Sequence, residues 1–338
     1  MSFKEIAEFD NYTSSLNVID GTANTARQNA LIKDTAYSYA IQKQMSTIAD
    51  GQGLNYAITA SVGSNNLTVT LKGGNSDNLS FDNFSADPFT IGNTAYFRIN
   101  DGVYTSDTIF SLSANAVLTL NAGTNWFDAS STELDNKEIQ LFVYICVSTW
   151  ATSPTPYIGL SRLPYLRKIS DGSTTNTDYN YIATSYTPNA TDQVRVIGRI
   201  NVKLNSNNWQ SLSSYNIINA PIFETDFLDY LPTFCSGQTI TFSGGGSTCK
   251  YKVKYNTCFI QSFIVGTVTG TANKFNHTVP VKKKTTSPAV LSTSWTAVSG
   301  NTYNDASSQT NLSSFFYNGL SGVVTGNIGV IVTGEYEI

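Results

Sequence analysis

The chain contains a single histidine, His277, and this limits the nucleophilic chemistry that it can perform. A Ser/His/Asp or Cys/His site requires a histidine as its base. His277 falls in residues 274–280, where apolar and polar residues alternate as they do in a strand. No G-x-S-x-G nucleophile elbow accompanies it in a strand-turn-helix context. We therefore interpret His277 as an ordinary strand residue and expect no hydrolysis through it.

Three cysteines near His277 could nominally complete a Cys3His zinc set, namely Cys235, Cys249 and Cys258. Structural zinc sites usually take paired ligands about two to four residues apart. The spacing of these cysteines is wider, so no metal or other cofactor is expected. A Cys249–Cys258 disulfide remains an alternative, although the chain shows no export signal. We predict buried thiols here and at Cys146.

The densest acidic cluster lies in residues 223–230 and contains Glu224, Asp226 and Asp229. Two carboxyl groups can cleave a glycosidic bond when one protonates the leaving oxygen and the other acts as nucleophile or base. The segment has the composition of a connector between two β-domains, and the chain lacks the repeat of a β-helix. We interpret the cluster as a solvated or interface-forming linker, assign no catalytic residue and expect no enzyme. A polysaccharide depolymerase is the third hypothesis for the function.

Three lysines, Lys250, Lys252 and Lys254, alternate with Tyr251 and Val253. The period of two places the three ammonium groups on one face of a predicted strand. They could meet an acidic glycan or the acids of a neighbouring subunit. Edge lysines also prevent sheet-to-sheet aggregation, and we favour this second interpretation.

These side chains require elements to position them, and the first is a predicted helix over residues 22–50. Asp20 and Thr22 supply N-cap oxygens, while Gly51 and Gly53 tolerate the conformation at a helix end. The stripe is short and contains small residues rather than sustained Leu and Ile heptads, so we interpret it as a docking and alignment element. The predicted oligomerisation and docking residues on its narrow face are Ala26, Ala30, Tyr37, Ile41, Met45 and Ile48.

The rest of the chain reads as short strands separated by Ser, Thr, Asn and Gly. Residues 56–62 and 67–71 predict a hairpin, and residues 193–204 alternate cleanly. We predict an N-terminal arm and helix (1–53), a β-rich middle domain (54–230) and a C-terminal tip domain (231–338). The fold class is therefore mainly β, with an N-terminal helix and two antiparallel β-sandwich or jelly-roll-like domains. The strands predicted for the tip are 239–243, 249–255, 258–268, 274–281, 290–295, 312–317 and 326–338.

The composition excludes several classes of function. The 338 residues are 41% hydrophobic but only 13% charged, so hydroxyls and amides must wet most of the surface, as suits permanent assembly. A net charge of -4 provides no field for a nucleic-acid backbone. No stretch approaches the ~20 apolar residues of a membrane span, and the first residues lack the basic start of a signal peptide. We expect a soluble, non-exported protein with no nucleic acid partner and no membrane insertion.

Several segments resemble virion proteins of tailed bacteriophages, of the tail-fibre, receptor-binding or minor structural type. They are the hairpin 55–72, Ala-Gly-Thr-Asn-Trp-Phe at 122–127 and Val-Arg-Val-Ile-Gly-Arg at 194–199. The segments 249–253, 266–271 and 275–281 resemble the β-sandwich tip of phage fibres. The resemblance covers most of the chain beyond the predicted helix.

The resemblance implies a homotrimeric, non-enzymatic virion component that is assembled in the bacterial cytoplasm. Its N-terminal region would dock to other phage virion proteins, and its C-terminal domain would contact a host surface glycan or protein. A capsid decoration or head-fibre protein is the alternative. Within the tip we predict receptor contacts from Trp295 and from the loop after it, because aromatic faces and amides suit sugar rings. The residues of that loop are Tyr303, Asn304 and Asp305.

Overall fold

The computed structural model divides the chain into two compact units, 1–49 and 50–338, and all described residues belong to the second. The predicted helix 22–50 and its docking residues Ala26, Ala30, Tyr37, Ile41, Met45 and Ile48 lie outside the described residues. The structure describes residues 53–54, 56–73, 95–99, 108–112, 116–120, 136–147, 156–171, 181–182, 189–206, 208–211, 216–232, 239–242, 247–269, 274–281, 290–297, 302–305, 314–318 and 326–338.

The prediction of a mainly β protein is confirmed. Among the described residues there is no α-helix, and a 3-10 turn occupies Ile169–Asp171. The strands are β1 (Gly53–Leu54), β2 (Tyr56–Gly63), β3 (Asn66–Gly73), β4 (Ala95–Ile99), β5 (Thr108–Leu112), β6 (Ala116–Leu120), β7 (Glu138–Val147), β8 (Tyr157–Ser161), β9 (Tyr181–Ile182), β10 (Gln193–Asn205), β11 (Asn208–Gln210), β12 (Ile217–Ile218), β13 (Leu228–Asp229), β14 (Thr239–Phe242), β15 (Thr248–Lys254), β16 (Thr257–Thr269), β17 (Lys274–Thr278), β18 (Val290–Ala297), β19 (Thr302–Asp305), β20 (Ser314–Asn318) and β21 (Gly326–Glu337).

The described strands pair antiparallel in several sheets. The first large sheet has the order β11-β10-β7-β8-β9, and β12 also pairs with β10. The second large sheet has the order β13-β15-β16-β21-β18-β19, and β14 also pairs with β16. Smaller sheets are the hairpin sheet β2-β3-β6, the sheet β1-β4-β5 and the pair β17-β20.

The first large sheet is covered on both faces, because nine consecutive residues of β7 from Ile139 to Val147 are buried. The hairpin sheet supplies part of this cover, since β2, β3 and β6 lie against β12, β11 and β8. The turn of the predicted hairpin places Ser64 and Asn65 at positive φ, which suits a two-residue hairpin connection. This hairpin and the strand predicted over 193–204 are confirmed.

A β-bulge in β10 brings the hairpin sheet close to the first large sheet. The pairing with β7 shifts between Val196 and Gly198, which leaves Ile197 as the extra residue. The hydroxyl of Tyr56 donates a hydrogen bond to the carbonyl of Ile197 at 2.7 Å. The backbone N–H of Ile58 donates to Asn219 Oδ1 at 2.8 Å. The carbonyl of the extra residue is therefore hydrogen-bonded by the hairpin sheet, which the side chain of Asn219 also holds.

The centre of the second large sheet is the long strand β16. On one side it pairs with β21 from Thr257 to Val268. On the other side it pairs first with β15 and then with β14. Just before β15, Ser247 Oγ donates to the carbonyl of Val265 at 3.2 Å and accepts from its N–H at 2.9 Å. One side chain thus satisfies backbone groups that would otherwise lack a strand partner.

Polar contacts join the sheets on the two sides of residue 230. Arg162, which follows β8, donates from Nη2 to the carbonyl of Pro280. The hydroxyl of Tyr165 donates to the carbonyl of Ile338 at 3.1 Å. Both large sheets belong to the compact unit 50–338. The division into a middle domain and a tip domain near residue 230 stays a prediction.

Candidate functional site

The acidic segment 223–230 runs beside β15 and forms an edge of the second large sheet. The backbone of Glu224 forms an isolated antiparallel β-bridge with Lys254, and Leu228 of β13 pairs with Tyr251 of β15. Between these points the N–H of Thr225 donates to the carbonyl of Val253 at 2.8 Å. The segment predicted as a connector is therefore built into the sheet.

Glu224, one of the three acids considered for glycosidic cleavage, is held by two lysines of β15. Glu224 Oε2 lies 3.0 Å from Lys252 Nζ and 3.7 Å from Lys254 Nζ. The hydrogen bond from Lys252 lowers the pKa of Glu224, helped by the charges of Lys252 and Lys254. A general acid needs a raised pKa to hold its proton, so this environment disfavours that role for Glu224.

Asp226 belongs to a clamp that fastens the acidic segment to the first large sheet. Arg199 of β10 donates from Nη1 to the carbonyl of Glu224 at 2.7 Å and from Nη2 to Asp226 Oδ2 at 3.0 Å. Gln140 of β7 donates to Asp226 Oδ2 at 2.7 Å and accepts from its N–H at 2.8 Å. Arg199 and Gln140 are both buried. The arrangement suits a structural joint, in line with an interface-forming linker.

The lysine face predicted for β15 is confirmed. Lys250 and Lys254 are exposed and Lys252 is partly buried, whereas Tyr251 and Val253 between them are buried. Lys252 Nζ also lies 6.0 Å from the centre of the Phe227 ring. The acidic segment runs along the edge of β15 that faces away from β16. These lysines therefore do not protect an unpaired sheet edge.

Two exposed aromatic rings stack at the β15–β16 hairpin turn. The centres of the Phe223 and Tyr255 rings are 5.7 Å apart with planes at 17°, and the residues are 38% and 54% exposed. Tyr255 has a φ of 50°, which is costly for a bulky residue. Its N–H donates to the carbonyl of Phe223 at 2.9 Å. Strain of this kind persists where the surroundings impose it and concentrates at functional positions.

The predicted receptor-contact residues lie towards the other end of the second large sheet. Trp295 is in β18 and pairs with Tyr303 of β19, while Asn304 pairs with Ser294 and Asp305 with Thr293. The placement of Tyr303, Asn304 and Asp305 in a loop is wrong, because they form a strand. Serine- and asparagine-rich surroundings hid a strand of only four residues. Their contact with a receptor stays a prediction.

The cysteines that the structure describes are buried free thiols, as predicted for Cys146, Cys249 and Cys258. The alternative disulfide between Cys249 and Cys258 is therefore wrong. Burial raises the pKa of Cys258 to about 12 and that of Cys249 to about 11. Cys235 lies outside the described residues.

His277 is part of β17 and pairs with Phe315, so its prediction as a strand residue is confirmed. No group of three or more His, Cys, Asp or Glu side chains that could hold a metal ion occurs among the described residues.

Sequence reasoning missed the aromatic pair and the Arg199 clamp. Phe223 and Tyr255 come from different elements, and so do Arg199 and Asp226. The order of neighbouring residues in the sequence therefore indicates neither contact. The signal that could have found the clamp is Arg199 itself, one of two arginines in the otherwise uncharged run 194–200.

Comparisons with known protein families, with characterised proteins and with solved structures found no match. Within the described part of the chain, no helix has the length and apolar character that crossing a membrane requires.

Proposed function

We propose that this chain is a structural protein of a tailed-phage virion, of the tail-fibre or receptor-binding type. In this proposal it forms a homotrimer, docks to the particle through the N-terminal helix, and contacts the host surface with a C-terminal β-sandwich domain. The observation that carries the proposal is the exposed Phe223–Tyr255 pair at one end of the second large sheet. Exposed aromatic rings beside charged and amide groups are suited to sugar rings and to protein surfaces.

The proposed mechanism is multivalent weak binding. One exposed aromatic pair offers a small contact area, so each copy of the chain would bind weakly. Several linked copies raise the overall avidity by roughly 100-fold to 10,000-fold, provided that their aromatic pairs reach the surface together.

The test is binding of the purified full-length chain to a panel of bacterial cells. We expect the double variant Phe223→Ala, Tyr255→Ala to lose at least tenfold in cell binding. The double variant Tyr303→Ala, Asn304→Ala tests the opposite end of the same sheet. Val117→Ala is the matched control, because Val117 is 51% exposed on the hairpin sheet. Cell binding that none of these variants changes more than the control would contradict receptor contact through this sheet.

A capsid decoration or head-fibre protein is the second candidate. The observation that favours it is the exposed apolar pair Phe263 and Ile331 on the face of the second large sheet, both 41% exposed. Such a face suits permanent cover by another protein. Labelling the chain in intact particles decides between the candidates. Label on the tail supports the fibre, and label over the head supports decoration.

A further inference from the structure

One face of the second large sheet is exposed to solvent and is here called the outer face. On this face, three neighbouring strands carry side chains of different charge and polarity. Strand β15 contributes the lysines described above. Strand β16 contributes Phe259, Gln261 and Phe263, and β21 contributes Ile331 and Glu335. The face therefore carries three lysines beside Glu224 and Asp229 on one side, a largely apolar middle, and Glu335 on the other side.

The strand register aligns the opposite charges at the same height along the strands. Lys252 pairs with Phe259, and Phe259 pairs with Glu335. One step further, Lys254, Thr257 and Glu337 form the next such row. Lys252 and Glu335 are separated by β16, about 10 Å across two strand spacings. Among the described residues Glu335 has no ion pair, whereas Lys252 already holds Glu224.

We propose that copies of this chain pack through the outer face around a symmetry axis that runs nearly parallel to β16. Rotation about such an axis keeps every residue at its own height and brings the left side of one sheet against the right side of the next. The β15 lysines of one copy then meet the β21 glutamates of its neighbour. The same contact between lysines and glutamates forms in a pair of sheets around a twofold axis and in three sheets around a threefold axis.

The lysines also disfavour the other simple arrangement. A twofold axis perpendicular to the strands within the interface would place each β15 over the β15 of its partner. Lysines would then face lysines, and like charges across an interface are unfavourable. The charge pattern therefore selects both a partner, a second copy of the chain, and the direction of the axis.

The apolar residues lie where this arrangement needs them. Phe259 and Phe263 belong to the central strand and come closest to the axis, and Ile331 pairs directly with Phe263. Sheets packed face to face lie about 10 Å apart, a distance that a lysine and a glutamate side chain bridge together. The apolar centre would be desolvated and the charged pairs would form its rim.

Cross-linking tests the position of the axis. Gln261 is exposed on the central strand, so Gln261→Cys should be joined to a second copy by a short bifunctional thiol reagent. Val117→Cys, exposed on the hairpin sheet, is the matched control and should not be joined. The unchanged chain measures the background from the native cysteines. Equal cross-linking of both variants, or none of Gln261→Cys, overturns the proposal.

Charge exchange tests the pairing. We expect Glu335→Lys to weaken self-association at least tenfold, measured by light scattering against the 36.7 kDa mass of one copy. A mixture of Glu335→Lys chains with Lys252→Glu chains should regain association, because each supplies the charge that the other lost. Lys72→Glu, at an exposed position of β3, makes the same charge change as Lys252→Glu away from the outer face and should leave the mass unchanged.

Two results would overturn the proposal. The first is a mass of 36.7 kDa for the unchanged chain at every concentration. The second is an oligomer that Glu335→Lys leaves intact, which would assign the assembly to a surface other than the outer face. The proposal rests on the sheet alone, so cell binding or its absence does not bear on it.

Discussion

Gly198 occupies a position in β10 where a Cβ atom has no room. An added Cβ would lie 2.4 Å from the carbonyl oxygen of Ile218 and 2.4 Å from Ile58 Cδ1. The first of these neighbours is backbone and cannot rotate away. The glycine therefore lets β12 and the hairpin sheet approach the bulge together.

We predict that Gly198→Ala lowers the free energy of unfolding by about 1 to 3 kcal/mol, the usual cost of overpacking. Gly63→Ala is the control, because a Cβ there would meet nothing within 4 Å. Urea denaturation of both variants measures the difference. Equal loss in the two variants would show that the close approach of backbone at Gly198 is not what requires glycine there.

Glu224 predicts a pH dependence of stability. The hydrogen bond from Lys252 lowers the pKa of this carboxylate in the folded state. The stability that this ion pair contributes is therefore fully present above the pKa of Glu224 in the unfolded chain, about 4.3. It is lost as the pH falls through the pKa of Glu224 in the folded protein. We expect Glu224→Gln to lower the melting temperature slightly at pH 7 and not at all in strong acid. A difference that persists unchanged in strong acid would contradict this pairing.

The element that most needs tertiary contacts is the segment from β12 to β13. Its regular pairing covers only Ile217–Ile218 and Leu228–Asp229, both of two residues. Between them it is held by Arg199 and Gln140 from the first large sheet. Its path therefore depends on side chains that are distant in sequence.

We predict that Arg199→Met destabilises the fold by about 2 kcal/mol, because it removes hydrogen bonds to a carbonyl and to a carboxylate. Asp226→Asn should cost less, since the amide oxygen still accepts a hydrogen bond. Denaturation midpoints of the two variants give the comparison. If Asp226→Asn proves the more damaging, the charge of the pair matters more than its hydrogen bonds.

The sequence predicted the longer strands better than it predicted their joints. Alternation located β10, β15 and β21, because one face of each strand meets the core or a neighbouring layer. It missed β19, a short strand that owes its form to pairing with β18. The aromatic pair and the Arg199 clamp each join different elements, so no local pattern contained them.

At the scale of the whole molecule, buried thiols report on how the two large sheets unfold. Cys146 lies in the first sheet, and Cys249 and Cys258 lie in the second. The contacts of Tyr165 with Ile338 and of Arg199 with Asp226 join the sheets. If these contacts make the compact unit cooperative, all three thiols should become accessible together.

We predict that these three thiols resist a thiol reagent in the native protein, because burial keeps them protonated and covered. All three thiols should become reactive at the same urea concentration. Peptide mass analysis identifies which cysteine has reacted at each concentration. Exposure of Cys146 at a different concentration from Cys258 would instead support separate domains divided near residue 230.

The position of β21 also determines when the second large sheet can form during synthesis. Strand β21 lies between β16 and β18, and Thr257 pairs with Glu337. Until the ribosome has released residues 326–338, β16 has an unpaired edge and β18 has no neighbour on that side. Such distant pairing slows folding and leaves strand edges open to other chains. Several copies translated together from one messenger RNA would therefore expose their unpaired strand edges at the same time. Chaperones would be needed most at this stage.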